Sequence, residues 1–426
     1  MVQNTRFNNA ITFVFALIFL VSAGFAIGSI PKLWKQRLTK VEGTYTLLAK
    51  DPTYNKNVYI LIYNPVLNNG KKLTENQNGW KNPDTLAAQY IDWLKETTND
   101  KVNFTIVMRN EISSFTTFAD GRKYDETTYL ACLNDTSKCM KDSRGDWMMM
   151  DYPNTLNSIG VCNYFNSGAI DEIWMFGAPY MGFWEANQAG TNSYFTNGPV
   201  VSGTSCNKPM TIMGFSYERG VPEMGEDLIH RAEGTMRKVY GSLGENRMDN
   251  NWDKFRLNAY ESPKFGFSGC GWAHYAPNST KEYQWDSTLS TSTYCDEFQN
   301  YPEDLDTAKR KTVNCSEWGC TALGYFEWWL QHLPSKGGIA PDGKYADWWK
   351  YVLEPNSVYD TLKENSTISI TPVTDNNKPI NSENANIKNI ALSIMFFALF
   401  VISLGVGLLL MIRFVKAQSK NEQISP

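Results

Sequence analysis

Apolar residues recur along the middle of this chain in short runs that predict strands, separated by segments with helical spacing. The first helical segment starts at Asn82-Pro83-Asp84, and Leu86, Tyr90 and Leu94 then recur at four-residue spacing on its buried face. A strand precedes this helix and another follows it, which predicts a βαβ unit. We therefore expect an α/β fold with a mostly parallel sheet. The predicted strands are Val58–Tyr63, Asn103–Met108, Asp171–Phe176 and Met210–Phe215.

Further helices are predicted at Thr127–Leu133, Pro222–Tyr240, Thr321–Gln331 and Tyr345–Leu353. The strongest is Pro222–Tyr240, because Pro stands in its first turn and several acidic residues follow closely. Residues 250–355 are rich in Gly, Trp and Cys. We expect this second half to be irregular and held together by disulfide bonds.

Two long apolar segments flank this region. Ile390–Ile412 has no charged residue over 23 positions, which is enough for a C-terminal transmembrane helix. Ala10–Ile30 is either a cleaved signal peptide or a retained N-terminal anchor. A basic cluster follows it directly, which disfavours the anchor, since positive residues then lie on the outer side.

The expected organisation follows from these segments. Residues 1–30 are the signal peptide or anchor, 41–355 an extracellular α/β domain, 356–389 a polar stalk, 390–412 the transmembrane helix and 413–426 a cytoplasmic tail. This predicts a protein of the cell surface or of a secretory-pathway membrane. The membrane is then one partner of the chain.

Charge separates the predicted domain from both ends. The chain carries a net −4, residues 1–40 carry +5 and residues 388–426 carry +3, which leaves −12 on residues 41–387. A domain this acidic is not expected to bind nucleic acid.

Cysteine and asparagine patterns suit an oxidising, glycosylating compartment. All eight cysteines lie between the apolar segments, and short loops favour the pairs Cys132–Cys139 and Cys315–Cys320. The remaining four cysteines could pair as Cys162–Cys206 and Cys270–Cys295. Five Asn-X-Ser/Thr sequons are present, at Asn103, Asn134, Asn278, Asn314 and Asn365.

Candidate chemistry lies in the loops that follow the third and fourth strands, because ligand sites of parallel sheets form at the carboxyl ends of strands. If those strands are neighbours, Tyr180, Glu185, Glu218 and Arg219 converge on one rim. The helix that follows places Glu226, His230 and Glu233 on one face. The candidate catalytic residues are therefore Tyr180, Glu218, Arg219 and Glu226.

Three histidines are available in the whole chain, His230, His274 and His332. A site with His230, Glu233 and His274, with or without His332, has ligands typical of zinc. The same residues are compatible with an acid/base pair, or with an acidic first turn that complements the helix dipole while the histidines fill structural roles. The chain contains no HExxH, GxSxG, Walker A, GxGxxG or CxxC motif.

Several stretches resemble a group of large secreted bacterial proteins. They are Tyr217–Met224 continuing to Glu233, Asp171–Trp174, Gly177–Phe183, Cys270–His274, Trp328–Pro334, and Asp342-Gly343 with Trp348-Trp349. The resemblance covers most of residues 57–355. It implies one coherent extracellular domain and brings no established activity with it.

Two hypotheses follow. The first is a glycosylated surface protein whose extracellular domain is a metal-dependent hydrolase, with zinc as the expected metal. The alternative is a non-catalytic domain that recognises glycans or proteins through its aromatic residues, which make up 14% of the chain. We expect most of these rings to form the core and not a binding surface.

Overall fold

The computed structural model describes residues 40–41, 44–45, 51–241, 247–303 and 305–360. Both predicted apolar segments, most of the predicted stalk and the C-terminal tail lie outside these residues. Within the described part of the chain, no helix combines the length and apolar character needed to cross a membrane.

The centre of the fold is a five-stranded sheet. Its strands are β3 (Tyr54–Tyr63), β4 (Val102–Ile112), β5 (Glu172–Gly177), β6 (Ala186–Ala189) and β7 (Met210–Ser216). They lie in the order β4-β3-β5-β7-β6, and all neighbours are parallel except β6, which pairs antiparallel with β7. The predicted α/β class and mostly parallel sheet are thus confirmed. A separate short pair, β1 (Lys40–Val41) and β2 (Thr44–Tyr45), is antiparallel.

The strands β3, β5 and β7 are present because each is an apolar run that the sheet buries on both faces, whereas β4 is an edge strand whose fully buried residues are Val102 and Phe104. Residues 58–63 of β3 are all buried, as is the whole of β5. The unpredicted strand is β6. Its sequence, Ala-Asn-Gln-Ala, has no apolar run, yet all four residues are buried.

The helix α2 (Pro83–Thr97) connects β3 to β4 and completes the predicted βαβ unit. The Asn82 side chain caps it by accepting hydrogen bonds from the amides of Asp84 and Thr85. The predicted face of Leu86, Tyr90 and Leu94 is buried. The helix contacts β4 and the long helix α6 (Val221–Tyr240).

The remaining helices are short. Before α2 lies α1 (Leu73–Asn76), and between β4 and β5 lie α3 (Glu126–Asn134), α4 (Tyr152–Ser158) and α5 (Val161–Asn166). After α6 follow α7 (Asn251–Arg256), α8 (Ala322–His332) and α9 (Trp348–Leu353). The predicted helices are found within a few residues of their expected bounds; α1, α4, α5 and α7 were not predicted.

The second half is irregular, with short 3₁₀ turns and one small antiparallel pair, β8 (Thr291–Thr293) and β9 (Lys311–Val313). A cluster of buried rings holds it together, with Trp348 and Phe255 in contact with each other and with several further rings. All four expected disulfide bonds are present. The last described element is a 3₁₀ helix at Pro355–Tyr359.

Candidate metal centre

A large cleft opens at the carboxyl ends of β5 and β7. Its volume is about 1140 Å³, and its walls come from residues of the segments 140–149, 178–185 and 214–220, from the start of α6, and from Tyr283 and Trp285. Because β5 pairs directly with β7, the two loops with candidate chemistry meet at this edge, as the strand order requires.

The loop of residues 178–185 has a fixed shape. Its Gly182 adopts a φ of +85°, and a side chain there would overlap the backbone of Met150. The Met150 amide donates to the Gly182 carbonyl at 3.0 Å, and the Trp184 amide donates to the hydroxyl of Tyr152 at 2.7 Å. Tyr180 itself has a φ of +63°, an uncommon conformation for a bulky side chain. The cleft wall is therefore held by backbone contacts and not by solvent-exposed side chains.

Helix α6 supplies three side chains of the candidate metal centre, which are Glu226, His230 and Glu233. It begins at the cleft, where the amide of Gly220 donates to Glu223, and it ends at Gly241 with a φ of +71°. Spacings of four and three residues place Glu226 and Glu233 on either side of His230 along one face. His230 is only 8% exposed, so its imidazole is largely shielded from solvent.

His274 comes from an irregular loop that is anchored to α8. The hydroxyl of Tyr325 lies 3.0–3.2 Å from three carbonyl oxygens of this loop, and the indole of Trp329 donates to the carbonyl of Gly271. The disulfide Cys270–Cys295 closes the same loop. The amide of Ala273 donates to Glu233 at 2.9 Å, which joins the loop directly to α6.

Three potential ligand atoms converge where the loop meets the helix. The Nε2 atoms of His230 and His274 are 3.1 Å apart, and Oε1 of Glu226 lies 3.2 Å from Nε2 of His274 and 3.8 Å from Nε2 of His230. A tetrahedral zinc ion with ligands at about 2.0–2.1 Å separates those ligands by roughly 3.3 Å. The three measured distances bracket this value, so the residues fit a zinc ion with little movement.

Each histidine is oriented by a further carboxylate. Nδ1 of His230 is 2.9 Å from Oε2 of Glu233, and Nδ1 of His274 is 2.8 Å from Oε1 of Glu282. A proton on Nδ1 that is donated to the carboxylate leaves the Nε2 lone pair for a metal. Both carboxylates therefore favour a proton on Nδ1, so that Nε2 is the nitrogen available to a metal once any proton on it is released.

Nearby carboxylates outweigh burial in their effect on the histidine pKa values in the cluster of Glu226, His230 and His274. Burial lowers the pKa of His230, but Glu233, Glu226 and Glu185 outweigh it and raise that pKa to about 11. Burial also opposes the charge of Glu226, yet its contacts with the two histidines hold its pKa below the usual value. Without metal, the cluster thus retains a proton on His230 at neutral pH. Burial, with the nearby Glu185 charge, raises the pKa of Asp227 in the cleft well above its usual range.

The structure brings together most of the residues that the sequence singled out. Tyr180, Arg219 and Glu226 line the cleft, while Glu218 is not among its lining residues and lies 3.6 Å from the guanidinium of Arg219. Glu233 contacts His230 through Nδ1, the nitrogen that faces away from the other ligand atoms. Its position suits an orienting residue and not a metal ligand, whereas Glu226 occupies the ligand position.

His332 lies elsewhere in the fold. Its Nε2 is 3.0 Å from Oδ1 of Asp296, and its Nδ1 is 2.7 Å from the carbonyl of Trp328. Both nitrogens therefore have structural partners, and the residue takes no part in the cluster.

Sequence reasoning missed Glu282 and Tyr283. Both follow a turn that returns the chain to His274, where the amide of Tyr283 donates to the His274 carbonyl at 2.9 Å. The one signal before them is the turn-forming Pro277-Asn278 pair, which indicates a reversal but not its partner.

The chain matches no protein-family model, and comparisons with curated proteins and with solved structures also find no match. The resemblance to secreted bacterial proteins therefore stays a prediction. The site has to be interpreted from its own geometry.

Proposed function

We propose that this protein is a zinc-dependent hydrolase whose active site is the cleft at the carboxyl ends of β5 and β7. One observation carries the proposal: Glu226, His230 and His274 present three ligand atoms at zinc-compatible distances beside a large cleft. Three protein ligands with a fourth position open to solvent are typical of catalytic zinc, whereas structural zinc is usually enclosed by four.

A bound zinc ion would lower the pKa of a water molecule in the fourth position to about 7 and so supply a nucleophile at neutral pH. Glu185 also lines the cleft, and its Oε2 lies 3.9 Å from Nε2 of His230. The side-chain amide of Asn197 donates to the same oxygen and restrains it. Glu185 is thus placed to accept a proton from that water.

The rim of the cleft has a role in substrate binding under this proposal. The guanidinium of Arg219 is 60% exposed, and its ion pair with Glu218 spans 3.6 Å. Such a loosely held cation is suited to binding an anionic or polar substrate group, beside the ring of Tyr180.

We further infer that the catalytic domain lies outside the cell, on a membrane anchor formed by residues 390–412. The four disulfide bonds support an oxidising compartment. The uncharged run of 23 residues supports the anchor, and the sequons support glycosylation.

The alternative hypothesis, a recognition domain with an aromatic surface, has less support. Trp147 is the one exposed tryptophan in the described part of the chain, and the other described indoles are buried or half-buried. The aromatic residues are mainly core, as expected.

Metal analysis tests the proposal. The full-length chain, purified without chelators, should contain about one zinc per chain, and His230→Ala should lose it. His332→Ala is the matched control, because it removes a histidine outside the cluster and should retain the metal. Zinc-loaded and metal-free proteins should then be compared on ester, amide and phosphoester substrates. A wild-type chain that neither contains zinc nor takes it up from solution would rule the proposal out.

A further inference from the structure

Tyr283 lies directly beside the candidate metal centre. Its hydroxyl oxygen is 3.2 Å from Nε2 of His274, the same atom that faces the other two ligand atoms. The ring packs against the imidazole with 4.3 Å between centroids. About half of the residue is exposed, and the residue lines the cleft.

The position of Tyr283 is fixed by its neighbours. Its amide donates to the carbonyl of His274, and the preceding residue, Glu282, binds Nδ1 of the same histidine. The φ angle of Tyr283 is +58°, and that of Tyr180, which also lines the cleft, is +63°. These are the two aromatic residues with positive φ in the described chain. Bulky side chains in this conformation are uncommon and concentrate at functional sites.

Metal binding changes what the Tyr283 hydroxyl can do. In the metal-free cluster it can donate to the Nε2 lone pair of His274. A metal on Nε2 uses that lone pair, so the hydroxyl needs another acceptor at the same place. The nearest new acceptor is an oxygen atom in the fourth coordination position.

We propose that Tyr283 is a catalytic residue that donates a hydrogen bond to the oxygen atom of a substrate or inhibitor bound to the metal of the Glu226–His230–His274 site. This inference rests on the proposed function and specifies the substrate class. The site takes a substrate that presents an oxygen on which negative charge develops, as in the hydrolysis of an acyl group.

Cobalt(II) and two small probes test the inference without knowledge of the substrate. The full-length chain, in mild detergent, is loaded with cobalt(II), and its visible spectrum reports ligand binding. Acetohydroxamate binds through anionic oxygens that can accept from Tyr283. Imidazole binds through nitrogen and leaves no acceptor there. Tyr283→Phe removes only the hydroxyl, and Tyr260→Phe is the control, since that tyrosine is similarly exposed and does not line the cleft.

We expect Tyr283→Phe to bind one cobalt per chain and to bind acetohydroxamate roughly 10- to 100-fold more weakly, since hydrogen bonds to charged acceptors are the strong ones. Imidazole affinity should change less than about twofold in both variants. Unchanged acetohydroxamate affinity would overturn the inference, as would equal weakening of both probes, which indicates a structural role. In either case the metal site itself would stand. A wild-type chain without a cobalt spectrum would instead overturn the proposed function and this inference together.

Discussion

Replacing Glu233 by Gln should weaken zinc binding although Glu233 is not placed as a ligand. Its two carboxylate oxygens accept two hydrogen bonds, one from Nδ1 of His230 and one from the amide of Ala273, each at 2.9 Å. A glutamine has one acceptor and one donor group, so it cannot satisfy both partners. If its oxygen stays with Ala273, its amino group faces Nδ1 and forces the proton of His230 onto Nε2, where the metal has to bind.

The expected loss of zinc affinity follows from the free-energy cost of returning the His230 proton from Nε2 to Nδ1. To restore the right tautomer, the introduced glutamine must turn its amino group towards the amide of Ala273 in a site where the native carboxylate is only 14% exposed. An unsatisfied buried donor costs about 1–3 kcal/mol, which is roughly a 10- to 100-fold loss of zinc affinity.

The matched variant is Glu282→Gln. The side chain of Glu282 is 50% exposed and binds one partner, so an amide there can rotate its oxygen to His274. We expect a loss of less than about threefold there.

Competition with a chromophoric chelator at about pH 7.5 measures both zinc affinities. Thermal unfolding of the metal-free proteins is the control, because both variants must be folded for the comparison to hold. Wild-type affinity in Glu233→Gln, or an equal loss in the two variants, would refute the tautomer argument.

Other predictions concern protons, glycans and a buried ion pair. The raised pKa of His230 keeps this residue protonated at about pH 7, so zinc binding should release about one proton or more per ion. Calorimetry in buffers of different ionisation enthalpy measures this release, and zinc binding without proton release would contradict His230 as a ligand. Mass spectrometry of the chain from a glycosylating host should find Asn134 modified and Asn278 unmodified, since Asn278 is buried with its amide bonded to two carbonyls. Lys101→Met should lower the free energy of unfolding by about 3 kcal/mol at about pH 8, because it leaves the buried Asp347 charge unpaired. Burial raises the pKa of Asp347 to about 6 even beside Lys101, which lowers it, so the Lys101→Met variant should have a still higher pKa at Asp347. Below about pH 6 the carboxyl group is protonated in both folded proteins, so the loss in urea unfolding should shrink at about pH 5 and grow above about pH 6; equal losses at about pH 5 and about pH 8 would contradict this reasoning.

Most of the sheet was predictable because three of its four predicted strands, β3, β5 and β7, satisfy the same condition. Each central strand is buried on both faces, and a strand in that environment has to be a continuous apolar run. The strand β6 was not predicted, because it is buried without containing an apolar run. Its Asn187 and Gln188 are buried as fully as the alanines on either side. Gln188 accepts from the amide of Tyr194, a loop contact that no local pattern reveals.

The sequence predicted that the second half is irregular and disulfide-bonded, but it did not predict the course of the chain through this half. Its Cys315–Cys320 pair followed from loop length and its Cys270–Cys295 pair was one way of pairing the cysteines that remained, whereas its packing depends on contacts between rings that are far apart in sequence. Phe255, Trp329 and Trp348 meet in one cluster, although more than 90 residues separate the first from the last. Helical or strand periodicity does not encode such contacts, because each ring lies on a different short element.

In the candidate site, too, the residues on one helix were predictable from local spacing, whereas the contact with a residue distant in sequence was not. Spacing on one helix placed Glu226, His230 and Glu233 together, and this could be read from the sequence. The approach of His274 to within 3.1 Å of His230 depends on the loop that Tyr325 and Trp329 hold from α8. Sequence reasoning proposed His274 because histidines are scarce, and not from any predicted contact.

The choice between Glu226 and Glu233 as ligand follows from the direction of α6. The helix begins directly after β7, at the carboxyl edge of the sheet where the cleft lies, and then runs away from that edge. Of the two carboxylates that flank His230, Glu226 therefore lies nearer the cleft, which it lines, and Glu233 lies farther along the helix and does not line it. Glu223, one turn earlier, also lines the cleft, as this argument requires. Helix direction was available from the predicted strand and helix order, so the sequence indicated that Glu226 lies nearer the cleft than Glu233. The ligand role of Glu226 and the orienting role of Glu233 depend in addition on the His274 loop, which lies against Glu226 through His274 and against Glu233 through the amide of Ala273.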